Sequence, residues 1–173
     1  MKILKAIDFA VKKHSGQIRR ESKLMYVTHP IVVSQLITKY KGDSKNLEEL
    51  QIAALLHDVV EDTNTSFVEI EREFGSMVAA IVIELTSDKK RIKKIGKNEY
   101  LKEKMVNMSN YAFILKLIDR LSNILDNPSD NYIKDTLSLM NFLRDNRKSI
   151  NKRQIDIVEE IISECKKLIK KDK

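Results

Sequence analysis

Residues 54–63 read ALLHDVVEDT, and they join the most apolar helical run of the chain to four polar, mostly charged side chains. Along one helix, His57 and Glu61 lie four residues apart. Asp58 and Asp62 have the same spacing, so two adjoining lines of side chains face one region at the end of the helix. Burying such groups is costly unless something compensates them. A bound cation would account for all four together.

The rest of the chain also follows a helical pattern. Only four Gly and two Pro occur in 173 residues, and apolar residues recur at helical spacing nearly everywhere. This pattern predicts an all-α protein, a compact single-domain helical bundle with the apolar helix before His57 at its centre. Helices are predicted to begin near Ile3, Pro30, Asn46, Ser66, Met77 and Ser109, and two more close the chain. The helix from Asn46 should run to about Val60 and the one from Ser109 to Asp126, whereas the basic residues 89–104 are predicted to form a loop that leads into a helix.

Composition narrows the class of protein. Apolar residues make up 42% and charged residues 33% of the chain, and the longest apolar stretches fall short of a membrane span. The single cysteine, Cys165, lies in phase with the apolar face of the last helix, which argues against a disulfide or a catalytic thiol and predicts a cytoplasmic location. A net charge of +7 is compatible with a nucleotide, nucleic acid or membrane partner, although a lysine-rich surface that aids solubility is the simpler interpretation.

Two further segments carry residue types that bind metals. His29 lies in residues 26–30, YVTHP, at the predicted start of a helix. Asp119 lies in residues 116–123, KLIDRLSN, next to the core-facing side of another helix, where an unpaired carboxylate is poorly tolerated. A salt bridge from Asp119 to Lys116 or Arg120 is the alternative explanation for this buried charge.

Together with the pair His57–Asp58, these residues provide two imidazole and two carboxylate groups. Such a set suits Mn, Fe, Co or Zn and leaves positions open for water and substrate, which is typical of a catalytic site and not of a structural one. The acidic pair Glu61–Asp62, one turn further along, could orient or deprotonate the water.

In order and spacing, these motifs resemble the HD phosphohydrolase superfamily, and longer strings resemble the hydrolase domain of Rel/Spo alarmone enzymes. The strings are residues 54–63 and 119–123 quoted above, 14–20 (HSGQIRR) and 74–78 (FGSMV). We therefore expect one hydrolase domain over residues 1–173, with a family-like core at about 3–126 and C-terminal helices at about 130–170. The length leaves no room for the synthetase domain of the long bifunctional enzymes, so a stand-alone small alarmone hydrolase is expected.

The resemblance implies an enzyme that uses manganese, or another divalent transition metal, to remove the 3′-pyrophosphate from ppGpp or pppGpp and release GDP or GTP. By motif match, the implied metal ligands are His29, His57, Asp58 and Asp119, and the implied water-activating pair is Glu61 and Asp62. The implied substrate-binding residues are Arg19, Arg20 and Asn123, with Lys93, Lys94 or Lys97 of the basic segment as phosphate-binding candidates. A solvated charge run is the alternative for the lysines, and core packing is the favoured interpretation of His14.

Two departures from the family pattern bear on substrate choice. Residues 21–25, ESKLM, replace a string that contains Gly and Pro in relatives, and Asp126 stands where many relatives have a small hydroxyl residue. The alternative functions are an HD hydrolase of another nucleotide or phosphoester and, more remotely, a basic helical module that binds nucleic acid. The absence of Trp and of any helix-turn-helix or zinc-finger pattern argues against the second. We expect a small nucleotide substrate and no nucleic-acid or membrane partner.

Overall fold

The computed structural model describes residues 1–20 and 22–171. Within these residues the regular secondary structure is helical apart from one isolated antiparallel bridge between Ile18 and Met25, so the all-α prediction is confirmed. The chain divides into two compact units, Met1–Ser87 and Asp88–Lys173. Glu21, in the segment that departs from the family pattern, lies outside the described residues. Among the residues that are described, no helix combines the length and apolar character that a membrane crossing requires.

The first unit is built around its third helix. The helices are α1 (Lys2–Lys13), α2 (Thr28–Lys41), α3 (Leu47–Leu56), α4 (Val59–Asp62), α5 (Phe67–Phe74) and α6 (Ser76–Leu85). Helix α3 packs against α1, α2 and α6, and its residues Leu50 and 52–56 are buried. A helix that is apolar on nearly all sides can face neighbours in several directions. The predicted central position of this helix is therefore confirmed within the first unit.

Helix α3 ends earlier than the sequence predicts. The expected single helix to about Val60 is wrong, because α3 and the one-turn helix α4 are separate. The His57 Nδ1 atom lies 2.7 Å from the Ala54 carbonyl oxygen, the acceptor that a continuous helix would offer to the main-chain N–H of Asp58. The Asp62 N–H still donates to the Asp58 carbonyl at 3.0 Å. Asp58 and Asp62 therefore remain one turn apart despite the break.

The second unit contains the helix that carries Asp119. Its helices are α7 (Lys89–Ile95), α8 (Lys97–Asn107), α9 (Asn110–Leu125), α10 (Asp130–Asn146) and α11 (Lys152–Lys171). Helix α11 packs against α9 and α10, and α10 packs against α8. The expected bounds of the Asp119 helix, Ser109 and Asp126, are the two residues that cap α9. The two predicted closing helices are confirmed as α10 and α11.

The first part of the basic segment is a helix and not the predicted loop, whereas the helix predicted to follow the loop is confirmed as α8. Residues Lys89–Ile95 form α7, and Gly96, with a φ of +84°, separates it from α8. The Asp88 carboxylate accepts hydrogen bonds from the main-chain N–H groups of Lys90 and Arg91 at 2.9 and 3.0 Å. A carboxylate there satisfies donors of the first turn and interacts favourably with the helix dipole. The loop prediction is wrong because it did not take this cap into account.

Candidate metal-binding and catalytic site

Two buried imidazoles lie side by side in the first unit. His29 is 4% and His57 is 1% exposed, and their ring centroids are 5.3 Å apart. His29 stands in the first turn of α2, where its N–H donates to the Tyr26 carbonyl at 3.0 Å. Pro30 follows in the same turn, a position where proline leaves no helical hydrogen bond unmade. The start of α2 thus places His29 beside the residue that caps the end of α3.

Hydrogen bonds fix the orientations of His57 and Asp58. Since a carbonyl oxygen only accepts, His57 Nδ1–H donates to Ala54, and Nε2 is the nitrogen that bears the lone pair of the neutral ring. His57 Nε2 lies 2.9 Å from Asp58 Oδ2, and the Tyr26 hydroxyl donates to that same oxygen at 2.5 Å. A ring lone pair and a carboxylate oxygen approach this closely when they share a proton or a cation. These atoms therefore point toward one position that a positive charge can occupy.

A Gln17 hydrogen bond ties the turn before α2 to the proposed catalytic segment. Gln17 Nε2 donates to the Asp62 carbonyl at 3.0 Å, and Gln17 Oε1 lies 2.9 Å from His14 Nδ1. Tyr26 N–H donates to the Gln17 carbonyl at 2.9 Å, and the Tyr26 ring centroid lies 4.8 Å from that of His14. His14 is 4% exposed, as expected for a packed histidine. This packing holds Tyr26 within hydrogen-bonding reach of Asp58.

The two arginines matched to substrate binding lie on the same turn. Arg19 N–H donates to the Leu24 carbonyl at 2.9 Å, next to the bridge that Ile18 makes with Met25. The Arg19 residue is partly buried, whereas Arg20 is exposed. Their contact with the base and phosphates of a nucleotide stays a prediction.

The acidic pair matched to water activation lies on α4, directly after the His57–Asp58 pair. Glu61 is half-buried, and its Oε2 accepts the main-chain N–H of Ser87 at 2.9 Å. Asp62 is exposed. A carboxylate whose direction is set by the main chain suits a group that must hold a water molecule in place. The assignment of the pair to catalysis stays a prediction.

Asp119, on α9 of the second unit, has a donor at each carboxylate oxygen. The residue is 7% exposed, with Lys116 Nζ 2.9 Å from Oδ2 and Asn123 Nδ2 donating to Oδ1 at 2.8 Å. Residues three before and four after a helical position lie on the same face. Of the two salt bridges considered from sequence, the structure has the one to Lys116, whereas Arg120 donates to the Thr136 hydroxyl at 2.8 Å. Asn123 contacts the proposed metal ligand, and its contact with a nucleotide stays a prediction.

The candidate phosphate-binding lysines are all exposed. Lys93 and Lys94 lie at the end of α7, and Lys97 is the first residue of α8. The structure makes all three accessible to an anion, and their role in binding phosphate stays a prediction.

The donor chemistry of these residues fits a divalent transition metal. His29, His57 and Asp119 are each buried and are of the types that could hold a metal ion. Histidines that bind metals commonly donate their second ring N–H to a carbonyl or carboxylate, as His57 does to Ala54. Imidazole donors favour Mn, Fe, Co or Zn over the harder magnesium and calcium ions.

Sequence reasoning did not single out Tyr26 or Gln17 as functional residues. Tyr26 bonds to Asp58, which is 32 residues away, and Gln17 bonds to Asp62, which is 45 residues away. Their presence in the strings HSGQIRR and YVTHP was the one available signal. Spacing along a helix does not reveal contacts between segments this distant in sequence.

Known proteins match both the sequence and the fold. Residues 6–129 match the family model described as HD domain. Guanosine-3′,5′-bis(diphosphate) 3′-pyrophosphohydrolase MESH1 of Xenopus tropicalis is 42% identical over 125 residues, which cover 72% of this chain and 68% of that protein. Guanosine-3′,5′-bis(diphosphate) 3′-pyrophosphohydrolase of Aquifex aeolicus is 32% identical over 164 residues, which cover 90% of this chain but 20% of that longer protein.

A solved structure shows the same architecture over nearly the whole chain. It is described as a metazoan ortholog of SpoT that hydrolyses ppGpp and plays a role in starvation responses. The match has a TM-score of 0.76 at 30% sequence identity and covers 94% of each chain. The similarity therefore extends past the residues that the family model matches.

Proposed function

Because this chain belongs to the HD domain family, we propose that it is a metal-dependent hydrolase that removes the 3′-pyrophosphate of ppGpp or pppGpp. The products are GDP or GTP and pyrophosphate. In this reaction a water oxygen bonds to phosphorus, the bond from that phosphorus to ribose O3′ breaks, and O3′ takes up a proton. The relatives from Xenopus tropicalis and Aquifex aeolicus carry the name of this activity.

The arrangement around His57 is the observation that supports a metal-dependent reaction most strongly. The Ala54 carbonyl accepts the Nδ1 proton of His57, so Nε2 of the neutral ring bears a lone pair, for which a carboxylate is not a hydrogen-bond donor. The opposite nitrogen of the ring faces the Asp58 carboxylate at 2.9 Å, and the buried His29 ring lies alongside. We assign His29, His57, Asp58 and Asp119 as the metal ligands, the last by its place in the family motif.

When held by these residues, a divalent ion, manganese in our proposal, would supply Lewis acidity, which neutralises developing phosphoryl charge and lowers the pKa of water. The protein side chains supply the remaining functions. Glu61 and Asp62 orient and deprotonate the attacking water. Arg19, Arg20 and Asn123 bind the nucleotide, and one or more of Lys93, Lys94 and Lys97 bind its phosphates, because ammonium groups on an exposed surface attract an anionic substrate.

The proposal extends to the setting of the enzyme. We infer a cytoplasmic hydrolase with a small nucleotide substrate and without a nucleic-acid or membrane partner. The net charge of +7 then suits an anionic substrate and reflects a lysine-rich surface.

A nucleotide assay on the metal-stripped protein tests this function. With manganese added, we expect ppGpp to be converted to GDP and pyrophosphate, and GDP itself to remain intact because it has no 3′-pyrophosphate. Chelation should abolish the reaction, and manganese should restore it better than magnesium, since imidazole ligands disfavour a hard, oxygen-preferring ion. Equal turnover of GDP would reject the alarmone substrate but not the HD hydrolase. Full activity after exhaustive chelation would reject the metal site.

A further inference from the structure

Gln17 is hydrogen-bonded through both its main chain and its side chain. It follows Gly16, whose φ of +79° favours glycine and turns the chain. The Gln17 N–H donates to the His14 carbonyl at 3.0 Å, and the Gln17 carbonyl accepts the Tyr26 N–H at 2.9 Å. Its side-chain amide lies between His14 Nδ1, 2.9 Å from Oε1, and the Asp62 carbonyl, 3.0 Å from Nε2. The main chain of Gln17 is therefore fixed, and its side chain connects the end of α1 to the end of α4.

The direction of the two side-chain bonds follows from the groups that meet. A main-chain carbonyl only accepts, so the amino group of the Gln17 amide faces Asp62 and its carbonyl oxygen faces His14. His14 Nδ1 therefore carries a proton and donates to Gln17. The His14 residue is 4% exposed, and its ring centroid lies 4.8 Å from that of Tyr26. A buried, packed imidazole thus fixes which way the Gln17 amide points.

Helix α4, which carries the acidic pair, is a single turn of four residues. Two main-chain hydrogen bonds close it, from the N–H groups of Asp62 and Thr63 at 3.0 and 3.1 Å. A first helical turn fixes several dihedral angles for few hydrogen bonds, so it forms at a free-energy cost and is stabilised by bonds to neighbouring segments. The carbonyl groups at the end of a helix also lack helical partners. Gln17 supplies such a partner for Asp62.

Each member of the acidic pair is thus held by a different bond. The Glu61 side chain accepts the Ser87 N–H at 2.9 Å, whereas Asp62 is held through its main-chain carbonyl by Gln17 at 3.0 Å. A shift of the α4 main chain would move the Asp62 carboxylate with it, because the aspartate side chain is short. The position of this carboxylate therefore depends on how firmly Gln17 holds α4.

We propose that Gln17, with its amide held by His14, is a positioning residue that fixes α4 and so places the Asp62 carboxylate for its action on water. The inference rests on the proposed function, in which Glu61 and Asp62 act on the attacking water. Among the described residues, the Gln17 side chain bonds to His14 and Asp62 and to none of the four proposed metal ligands. Its loss should therefore lower the rate of hydrolysis and leave metal affinity unchanged. A displacement of about 1 Å in a reacting group can lower a rate by about a hundredfold.

The Gln17→Met variant tests the proposal because it keeps the length of the side chain and removes its two hydrogen bonds. With ppGpp as substrate and manganese at saturation, we expect kcat to fall about tenfold to a hundredfold and KM to stay near the wild-type value. The dissociation constant for manganese, measured by calorimetry on metal-stripped protein, should be unchanged, as should helical content by circular dichroism. The matched control is Gln51→Met, at a half-buried glutamine of α3 whose Nε2 donates to the Thr38 hydroxyl at 2.8 Å. This control should hydrolyse ppGpp as the wild type does.

Hydrogen exchange measures the support of α4 without reference to catalysis. In metal-free protein, the Asp62 and Thr63 amide protons should exchange about twofold to tenfold faster in Gln17→Met than in the wild type, the effect of losing one hydrogen bond. Gln51→Met should leave these exchange rates unchanged. Equal exchange in Gln17→Met and the wild type would show that Gln17 does not stabilise α4 and would overturn the proposal.

A second variant tests the part assigned to His14. His14→Phe keeps a ring beside Tyr26 and removes the donor to Gln17. We expect it to lower kcat in the wild-type background and to cause no further loss in the Gln17→Met background, because its effect passes through the Gln17 amide. A further loss of the same size in that background would overturn the proposal.

The outcomes separate this inference from the proposed function. Unchanged kcat in Gln17→Met, while the wild type hydrolyses ppGpp, would overturn the inference alone. So would a loss of manganese affinity as large as the loss of kcat, because Gln17 would then act on the ligands and not on α4. A wild-type protein that binds manganese but does not hydrolyse ppGpp would overturn the proposed function together with this inference.

Discussion

At the residue scale, His57 shows how a main-chain carbonyl determines which ring nitrogen of a histidine carries the proton. The Ala54 carbonyl takes the Nδ1 proton and leaves Nε2 to face Asp58. The Tyr26 hydroxyl donates to that same Asp58 oxygen and so restrains the carboxylate. The ligand atoms are therefore oriented before any ion binds, which lowers the cost of ordering them on binding.

Replacing Glu61 by Gln and Asp62 by Asn together should nearly abolish hydrolysis while leaving metal content and helicity in place. Both changes remove a base with little change in side-chain size, and the amide oxygen introduced at position 61 can still accept the Ser87 N–H. Loss of a positioned base typically lowers the rate by about a hundredfold to ten-thousandfold. Single-turnover hydrolysis, elemental analysis and circular dichroism measure the three properties.

His57→Ala is the matched comparison for that double variant. It removes a proposed ligand, so metal and activity should be lost together. Loss of metal from the amide double variant would show that Glu61 and Asp62 are ligands. Near-normal turnover of the double variant would show that neither acts on the water.

Residue types and spacing predicted which residues form the candidate site, but they did not predict how those residues contact one another. His29 and His57 were selected from sequence, and the structure brings them together as buried neighbours. Tyr26 was not selected, because a tyrosine beside a predicted helix is equally compatible with core packing. Only the fold reveals that its hydroxyl reaches Asp58.

At the element scale, apolar periodicity and capping residues predicted most helices but not their interruptions. Ser109 and Asp126 were found as the ends of α9 because a polar cap and a proline-containing turn mark them. The break after α3 depends on a side chain that binds a main-chain carbonyl, and periodicity contains no signal for that. The short helix α7 was missed because its cap, Asp88, precedes a segment with few large apolar residues.

Cys165 should make the stability of α11 depend on pH in the alkaline range. The thiol is fully buried, and burial raises its pKa from 9.0 to about 11, so the folded protein favours the neutral form. The raised pKa of the thiol therefore contributes unfolding free energy that is fully present below about pH 9 and is lost as the pH rises toward 11. Between about pH 8 and 11, the wild type should lose about 2 kcal/mol more unfolding free energy than Cys165→Ala. Urea denaturation of both proteins across this range measures the difference, and parallel curves would contradict it.

At the scale of the whole molecule, the family match and the compact units do not share boundaries. The HD domain model covers residues 6–129, which begin in the first unit and end within the second, before α10. The prediction of one domain over the full chain stays a prediction. Buried apolar residues nevertheless continue through the last two helices: Ile133, Leu139, Met140 and Leu143 on α10, and Ile157, Val158, Ile161, Ile162 and Cys165 on α11.

A protein truncated after residue 129 should therefore fail to fold cooperatively, although it retains the whole HD domain match. Each buried aliphatic side chain contributes about 1.5–3 kcal/mol, so the loss of both helices is comparable to the roughly 5–15 kcal/mol by which a domain is stable. It would also expose the side of α9 that packs on α11. The matched control is the full chain cleaved at an inserted protease site beside the exposed Asn127, since both helices then remain in place. Urea denaturation and binding of a hydrophobic dye should show a cooperative transition for the cleaved chain and none for the truncated one. A cooperative transition of the truncated protein would show that α10 and α11 are dispensable for the fold.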